Sequence, residues 1–306
     1  MDKRGIVYAL AAYTLFGVLP IYWKALDVVP SLQILIHRML WSLVFLLVVL
    51  ALQRNWRWIR FVLAEKRTFG IYLVSASVIG LNWGIYVWAV NAGHIVESSL
   101  GYFINPLVSV LFGVLFFRES LRLWQWVAIL IATAGVLYLT YDYGKLPWIS
   151  LSLALTFAFY GVLKKRASLG SLEGLTLEMA ILFLPALSYI LFVQATGQGA
   201  VGQISSFEHL LLALTGVATA VPLIFFAAAA QRIPLYMIGV LQYIAPTLQL
   251  IIGVALYEEP FPQSRVIGFA IIWFALAVFT LESVVQQRKR SVQGEESGVL
   301  RNEPKG

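Results

Sequence analysis

Few residues in this chain place charge or acid–base chemistry inside an apolar stretch, and those few bound what it can do. Arg38 lies about seven residues into a long apolar run, after His37 and before Met39-Leu-Trp41-Ser42. A guanidinium at that depth in a membrane is costly, so it should face a bundle interior and a partner. Two readings stand side by side: a contact for a substrate or coupling ion, and a structural ion pair or a side chain snorkelling to the interface. Glu178, 140 positions further on, sits in a second such run. It is either a protonatable group or one half of a gate-side ion pair. Asn82, Trp83 and Tyr86, then Asn91, His94 and Glu97, form a polar and aromatic series. Asn82 and Tyr86 fall at helical spacing and share a face; aromatic faces suit apolar or cationic solutes. For Trp88 and the Trp56/Trp58 pair the better reading is an interfacial belt.

With Tyr102, Asn105, Gln242 and Tyr243 the expected substrate contacts are Arg38, Asn82, Trp83, Tyr86, Tyr102, Asn105, Gln242 and Tyr243. The expected coupling or gating groups are His94, Glu97 and Glu178. Other chemistries are excluded by residue type. There is no cysteine, the histidines His37, His94 and His209 are far apart, and no GxxxxGK[ST] loop occurs. Thiol catalysis, a metal motif and an ATP-driven pump are therefore not expected, and neither is a cofactor.

Glu97, Tyr102 and Asn105 belong to the stretch Glu97–Glu119, around which the chain is organised. Its middle is long enough to cross a bilayer, which takes roughly 20 residues. Pro106 interrupts it, with Gly101 and Gly113 on either side and Ser98, Ser99, Tyr102 and Asn105 to one end. The pattern returns 140 positions later: Pro106, Gly113 and Glu119 align without a gap on Pro246, Gly253 and Glu259. Repeated, interrupted membrane helices point to a transporter binding site, so Pro106 and Pro246 are expected to break their helices. Glu119 and Glu259 read as helix-end carboxylates paired with a nearby arginine such as Arg118 or Arg122. Gly80-Leu-Asn-Trp-Gly84 is a GxxxG, expected to mark close helix packing.

Only 12% of the 306 residues are charged and 60% are hydrophobic, with a mean hydropathy of +0.83. That composition describes an all-α polytopic membrane protein. Ten spans can be drawn, at approximately 5–24, 32–52, 70–90, 98–117, 124–141, 147–164, 174–194, 209–229, 236–257 and 264–283. The first reads as a retained helix rather than a cleaved signal. Basic residues fall in alternate loops: Lys3 and Arg4; Arg54, Arg57, Arg60, Lys66 and Arg67; Arg118 and Arg122; Lys164, Lys165 and Arg166; Arg232; and Arg288, Lys289 and Arg290. The other side receives Lys24, Lys145 and Arg265. Both termini are thus expected inside, and the net charge of +7 needs no nucleic acid.

Five spans per half is an odd number, so the second half enters the membrane inverted. The loops agree: residues 53–69 hold five Lys or Arg, and their counterpart at 193–209 holds none. The expected organisation is a five-helix repeat over 1–144, an inverted one over 145–285, and a disordered cytoplasmic tail over 286–306. One chain then holds a whole pathway, so a monomer suffices.

The ten-helix inverted repeat with Pro, Gly and Glu in register resembles the drug/metabolite transporter superfamily and its EamA domains. His37-Arg38, Trp41-Ser42, Asn82-Trp83…Tyr86 and Asn91…His94…Glu97-Ser-Ser-Leu-Gly-Tyr-Phe-Ile-Asn-Pro106 resemble its RarD subfamily. The likeness spans about residues 4–285. It implies a bacterial inner-membrane secondary transporter working by alternating access, with a cavity built mainly from spans one, three, four, six, eight and nine. RarD members are usually labelled chloramphenicol-sensitive permeases. Ala245 stands where the first half has Asn105, so the halves should contribute unequally. The expected partners are a small organic solute, the bilayer and protons as a candidate coupling ion. A membrane-embedded enzyme and a non-transporting structural protein are the alternatives; the first would need clustered His, Asp or Cys at the membrane edge.

Overall fold

In hydrocarbon the α-helix satisfies every backbone N–H and C=O within its own segment. The computed structural model describes residues 2–54, 56–144, 146–258 and 263–301, and all its regular structure there is helical. The helices are α1 (Lys3–Lys24), α2 (Ser31–Gln53), α3 (Arg57–Ala64), α4 (Lys66–Asn91), α5 (Ile95–Phe117), α6 (Leu123–Tyr143), α7 (Trp148–Arg166), α8 (Ser171–Ala195), α9 (Ser206–Ala230), α10 (Leu235–Gln242), α11 (Ile244–Tyr257) and α12 (Gln263–Arg301). Among the described residues, nine helices are long and apolar enough to cross a membrane, with α10 and α11 counted as one span. The remaining expected span coincides with α7, whose last turn carries Lys164, Lys165 and Arg166. Large apolar side chains such as Val7, Val44, Val48, Leu115, Leu130 and Leu191 stand exposed on the helices, a surface suited to lipid. Lys145 and Glu259 lie outside the described residues.

Local chemistry sets the helix ends. The Asp2 carboxylate accepts from the Arg4 amide at 2.9 Å, and Ser205 and Glu208 form a reciprocal capping box at the start of α9, each satisfying orphan donors. Arg118 and Glu258, 140 positions apart, close α5 and α11 in the left-handed region at φ 51° and 53°. Their amides return to the carbonyls of Gly113 and Gly253, the repeated glycines.

Three expectations are corrected. Pro106 lies inside the unbroken α5, whereas the span containing Pro246 is divided at Tyr243 into α10 and α11. A proline removes one helix bond and crowds the carbonyl four residues back. At Tyr243 the chain tightens instead, its amide bonding Val240 O at 3.3 Å. Within the basic loop α3 forms, with Val62 buried and Arg57 and Arg60 exposed, the pattern of a helix lying along an interface. Residues 286–301, expected to be disordered, continue α12; Gln, Arg, Lys and Glu are good helix formers. The GxxxG is not a tight crossing. A Cβ on Gly84 would meet nothing within 4 Å, and one on Gly80 only the Leu182 side chain.

The chain divides into two compact units, and each draws on both sequence halves. The first comprises Met1–Glu119 and Leu146–Pro260. In it α2 packs on α8 and α9, α4 on α7 and α8, α5 on α7 and α10, and α1 on α9 and α11. The second comprises Ser120–Lys145 and Phe261–Gly306. There α6 packs on α12, and Arg122 pairs with Glu282 at 2.7 Å.

Candidate functional site

The position of Arg38 follows from how α2 meets α9. Gly216 has no side chain, and a Cβ there would run into the backbone of Trp41 and Ser42. The two backbones therefore touch, and the Ser42 hydroxyl donates to Gly216 O at 3.1 Å. Arg38 lies one turn back along α2 from Ser42, and Thr219 one turn on along α9 from Gly216. Arg38 Nε accordingly donates to Thr219 Oγ1 at 2.9 Å. Its guanidinium carbon lies 4.8 Å from the ring centre of Trp23 in α1 and 5.0 Å from that of Trp83 in α4. Cation–π contacts of this kind stabilise a desolvated guanidinium.

Tyr86 of α4 and Tyr102 of α5 complete the group. Their rings meet edge-on at 6.3 Å. Five helices thus converge here. The site is also open: Tyr86 and Tyr102 are 36% and 37% exposed, and Arg38 is half-buried rather than sealed. Among the described residues Arg38 forms no ion pair. Arg38, Trp83, Tyr86 and Tyr102 are the sequence-expected contacts that the structure brings together.

The others lie elsewhere. Asn82 does not open onto this group. It is buried, and its Nδ2 donates to Leu153 O at 2.9 Å and Thr156 Oγ1 at 2.8 Å, clamping α4 to α7. Asn105, Gln242 and Tyr243 line the seam between α5 and α10. There the Ser109 hydroxyl reaches Asn105 Oδ1 at 3.5 Å and Gln242 Oε1 at 3.4 Å. Tyr243 donates to Phe103 O at 3.2 Å, joining two residues that are counterparts in the repeat. His94 is exposed at the start of α5, 5.9 Å from the Trp88 ring. Glu97 is buried and accepts from the Ile149 amide at 2.8 Å, capping α7.

Glu178 lies in a different, sealed cluster. Its side chain is 0% exposed and pairs with Lys164 at 2.7 Å. Ser75 donates to it at 2.5 Å and Tyr160 at 3.1 Å, while the Lys164 ammonium also lies over the rings of Tyr72 and Tyr160. Lys164 is invisible as a site residue in the sequence because it is the first of three loop-like basic residues. Trp23 reads as a belt residue, and Thr219 carries no sequence signal at all. Among the described residues, no three His, Asp or Glu side chains converge as a metal set would.

Glu119 pairs with neither Arg118 nor Arg122. It accepts from the amides of Leu235 and Tyr236 at 2.8 and 2.9 Å, capping α10, and meets Lys165 at 3.3 Å. A carboxylate at a helix start satisfies orphan N–H groups and the positive end of the dipole. Glu119→Ala is therefore expected to cost about 1–2 kcal/mol, read as a lower melting temperature in detergent, with Glu119→Gln losing less. An unchanged melting temperature in Glu119→Ala would remove the capping role.

Comparison with known proteins agrees with this architecture. Residues 3–141 match the EamA-like transporter family. The chain is 46% identical over 288 residues to "Protein RarD" of Streptomyces exfoliatus, covering 94% of this chain and 91% of that one. It is 46% identical over 292 residues to "Uncharacterized transporter YojE" of Bacillus subtilis (strain 168), covering 94% and 96%. A crystal structure sharing 19% identity superposes with a TM-score of 0.70 over 92% of this chain and 98% of that one, a likeness of fold. The chain therefore belongs to the EamA-like transporter family, in the RarD subfamily of the drug/metabolite transporter superfamily, and is a multi-pass transporter of the bacterial inner membrane.

Proposed function

We propose that this protein is a secondary transporter that moves small organic solutes by alternating access, with Arg38, Trp23, Trp83, Tyr86 and Tyr102 as its central binding group. The observation that carries this is an accessible guanidinium at membrane depth, ringed by aromatic side chains from separate helices. An intramembrane charge kept reachable is expensive unless it is used.

The inverted repeat over 1–144 and 145–285, with both termini inside, is part of the proposal. Exchanging α1, α2, α4, α5 and α6 for α7, α8, α9, α10–α11 and α12 leaves the principal packed pairs unchanged. The α5–α7 pair becomes α11–α1, α2–α9 becomes α8–α4, and α1–α9 becomes α7–α4. Pairs α2–α8, α5–α10 and α6–α12 map onto themselves. Repeats of this kind support rocking about a site near the midplane. Arg38 and Glu178 are counterparts, and one is open while the other is sealed by Lys164. That difference is what a transporter open at one face at a time requires. Under this reading the Lys164–Glu178 pair closes the basic, cytoplasmic end and makes Glu178 the first group to examine for proton coupling. Glu97 and His94 are committed to a helix cap and to the rim.

The test is uptake into proteoliposomes holding the purified protein, over a broad solute panel, with and without a pH gradient. Uptake of at least one solute class is expected, with Trp83→Ala reducing it roughly tenfold while the protein stays folded; losing one stacking contact of about 1–1.5 kcal/mol predicts that scale. A folded protein that moves nothing under either condition would reject the proposal.

A further inference from the structure

The Arg38 fork has one open edge. A guanidinium offers five N–H donors in a plane. The rings of Trp23 and Trp83 lie against it, at 4.8 Å and 5.0 Å from Cζ, and Nε is used on Thr219. The two terminal nitrogens have no partner among the described residues, and the side chain retains access. The paired donors on that edge match a carboxylate in a two-pronged bond.

The second cation inside the helices makes the contrast. Lys164 is matched by Glu178 at 2.7 Å and is sealed. Arg38 lacks such a partner, although burial of an unmatched charge is unfavourable. Resting on the transport reading above, we infer that the missing counter-charge arrives with the cargo: the site takes a small organic monoanion, a carboxylate with a planar apolar body. The carboxylate seats on the Arg38 edge, and the body lies along Trp83, Tyr86 and Tyr102. One guanidinium neutralises one charge, which favours a monoanion over a dianionic phosphate. A cationic amine would meet the guanidinium as a like charge and be rejected.

The experiment uses the full-length protein in nanodiscs and matched trios of acid, amide and amine. One trio is 3-phenylpropionate, 3-phenylpropionamide and 3-phenylpropylamine; others carry larger aryl or alkyl bodies. Binding is read by calorimetry, and uptake of the same compounds is read in proteoliposomes. Acids are expected to bind roughly 10–100-fold more tightly than their amides, the scale of a charge-assisted hydrogen bond. Arg38→Gln should make acid and amide alike, and Arg38→Lys should keep a reduced preference.

Amides or amines that equal or surpass the acids on the wild-type protein would overturn the inference, as would a panel in which no acid binds. That comparison stands even if Arg38→Gln fails to fold. If amides or amines are transported and acids are not, the anion inference falls and the transport reading survives. If no member of any trio and no other solute crosses, both fall.

Discussion

Lys164→Met alone is expected to lower stability by about 3–5 kcal/mol, the usual cost of stranding one member of a buried ion pair. The Glu178 carboxylate would keep only two neutral donors, Ser75 at 2.5 Å and Tyr160 at 3.1 Å, in a place with no water access. Glu178→Leu alone should cost a similar amount by stranding the ammonium between Tyr72 and Tyr160. The double variant Lys164→Met with Glu178→Leu removes both charges, and apolar groups of similar volume are often as stable as the pair they replace. Its melting temperature should therefore return most of the way to wild type. The strong non-additivity is the signature, since residues in contact couple by about 0.5–3 kcal/mol or more. Single variants that melt within about 1 kcal/mol of wild type would mean that the pair is solvated and not a seal. If the pair is also the gate proposed above, the double variant should be stable yet slow in transport, which separates a gating role from a purely structural one.

Gly216→Val is expected to destabilise the protein by at least about 1–3 kcal/mol, the cost of overpacking, and to abolish binding at Arg38. The added atoms would enter the carbonyl of Trp41 and the amide of Ser42. Backbone cannot rotate away as a side-chain tip can, so α2 and α9 must separate. Separation breaks the Ser42–Gly216 bond and draws Thr219 from Arg38, so one substitution should cost both fold and site. Gly84→Ala is the control. Nothing lies within 4 Å of the added methyl, and alanine is the better helix former by about 0.5–1 kcal/mol. Thermal melting of both variants, with ligand binding on the survivors, checks the argument. A Gly216→Val protein as stable as Gly84→Ala would mean that α2 and α9 do not touch through their backbones.

The helical class and the apolar spans are legible in the residues alone, because these rest on local physics. Twenty-odd apolar residues must be helical in lipid, and a helix closed by a given Gly and left-handed residue closes the same way 140 positions later, as at Arg118 and Glu258. Arg38 is legible too, since a charge inside an apolar run is conspicuous whatever surrounds it. Which side chains meet is set by packing between helices. Arg38 and Thr219 are 181 positions apart, and Ser109 and Gln242 are 133 apart. Their contacts depend on the facing angle and depth of helices that are not neighbours in the chain. Asn82, read as a cavity wall, turned out to clamp α7, because a 3.6-residue period fixes a shared face and not what that face meets. In sequence Lys164 reads as a loop charge, because hydropathy ends a span at the first cluster of basic residues. The drawn span ends on Lys164 itself, and only packing shows that this charge goes inside with Glu178, at 2.7 Å.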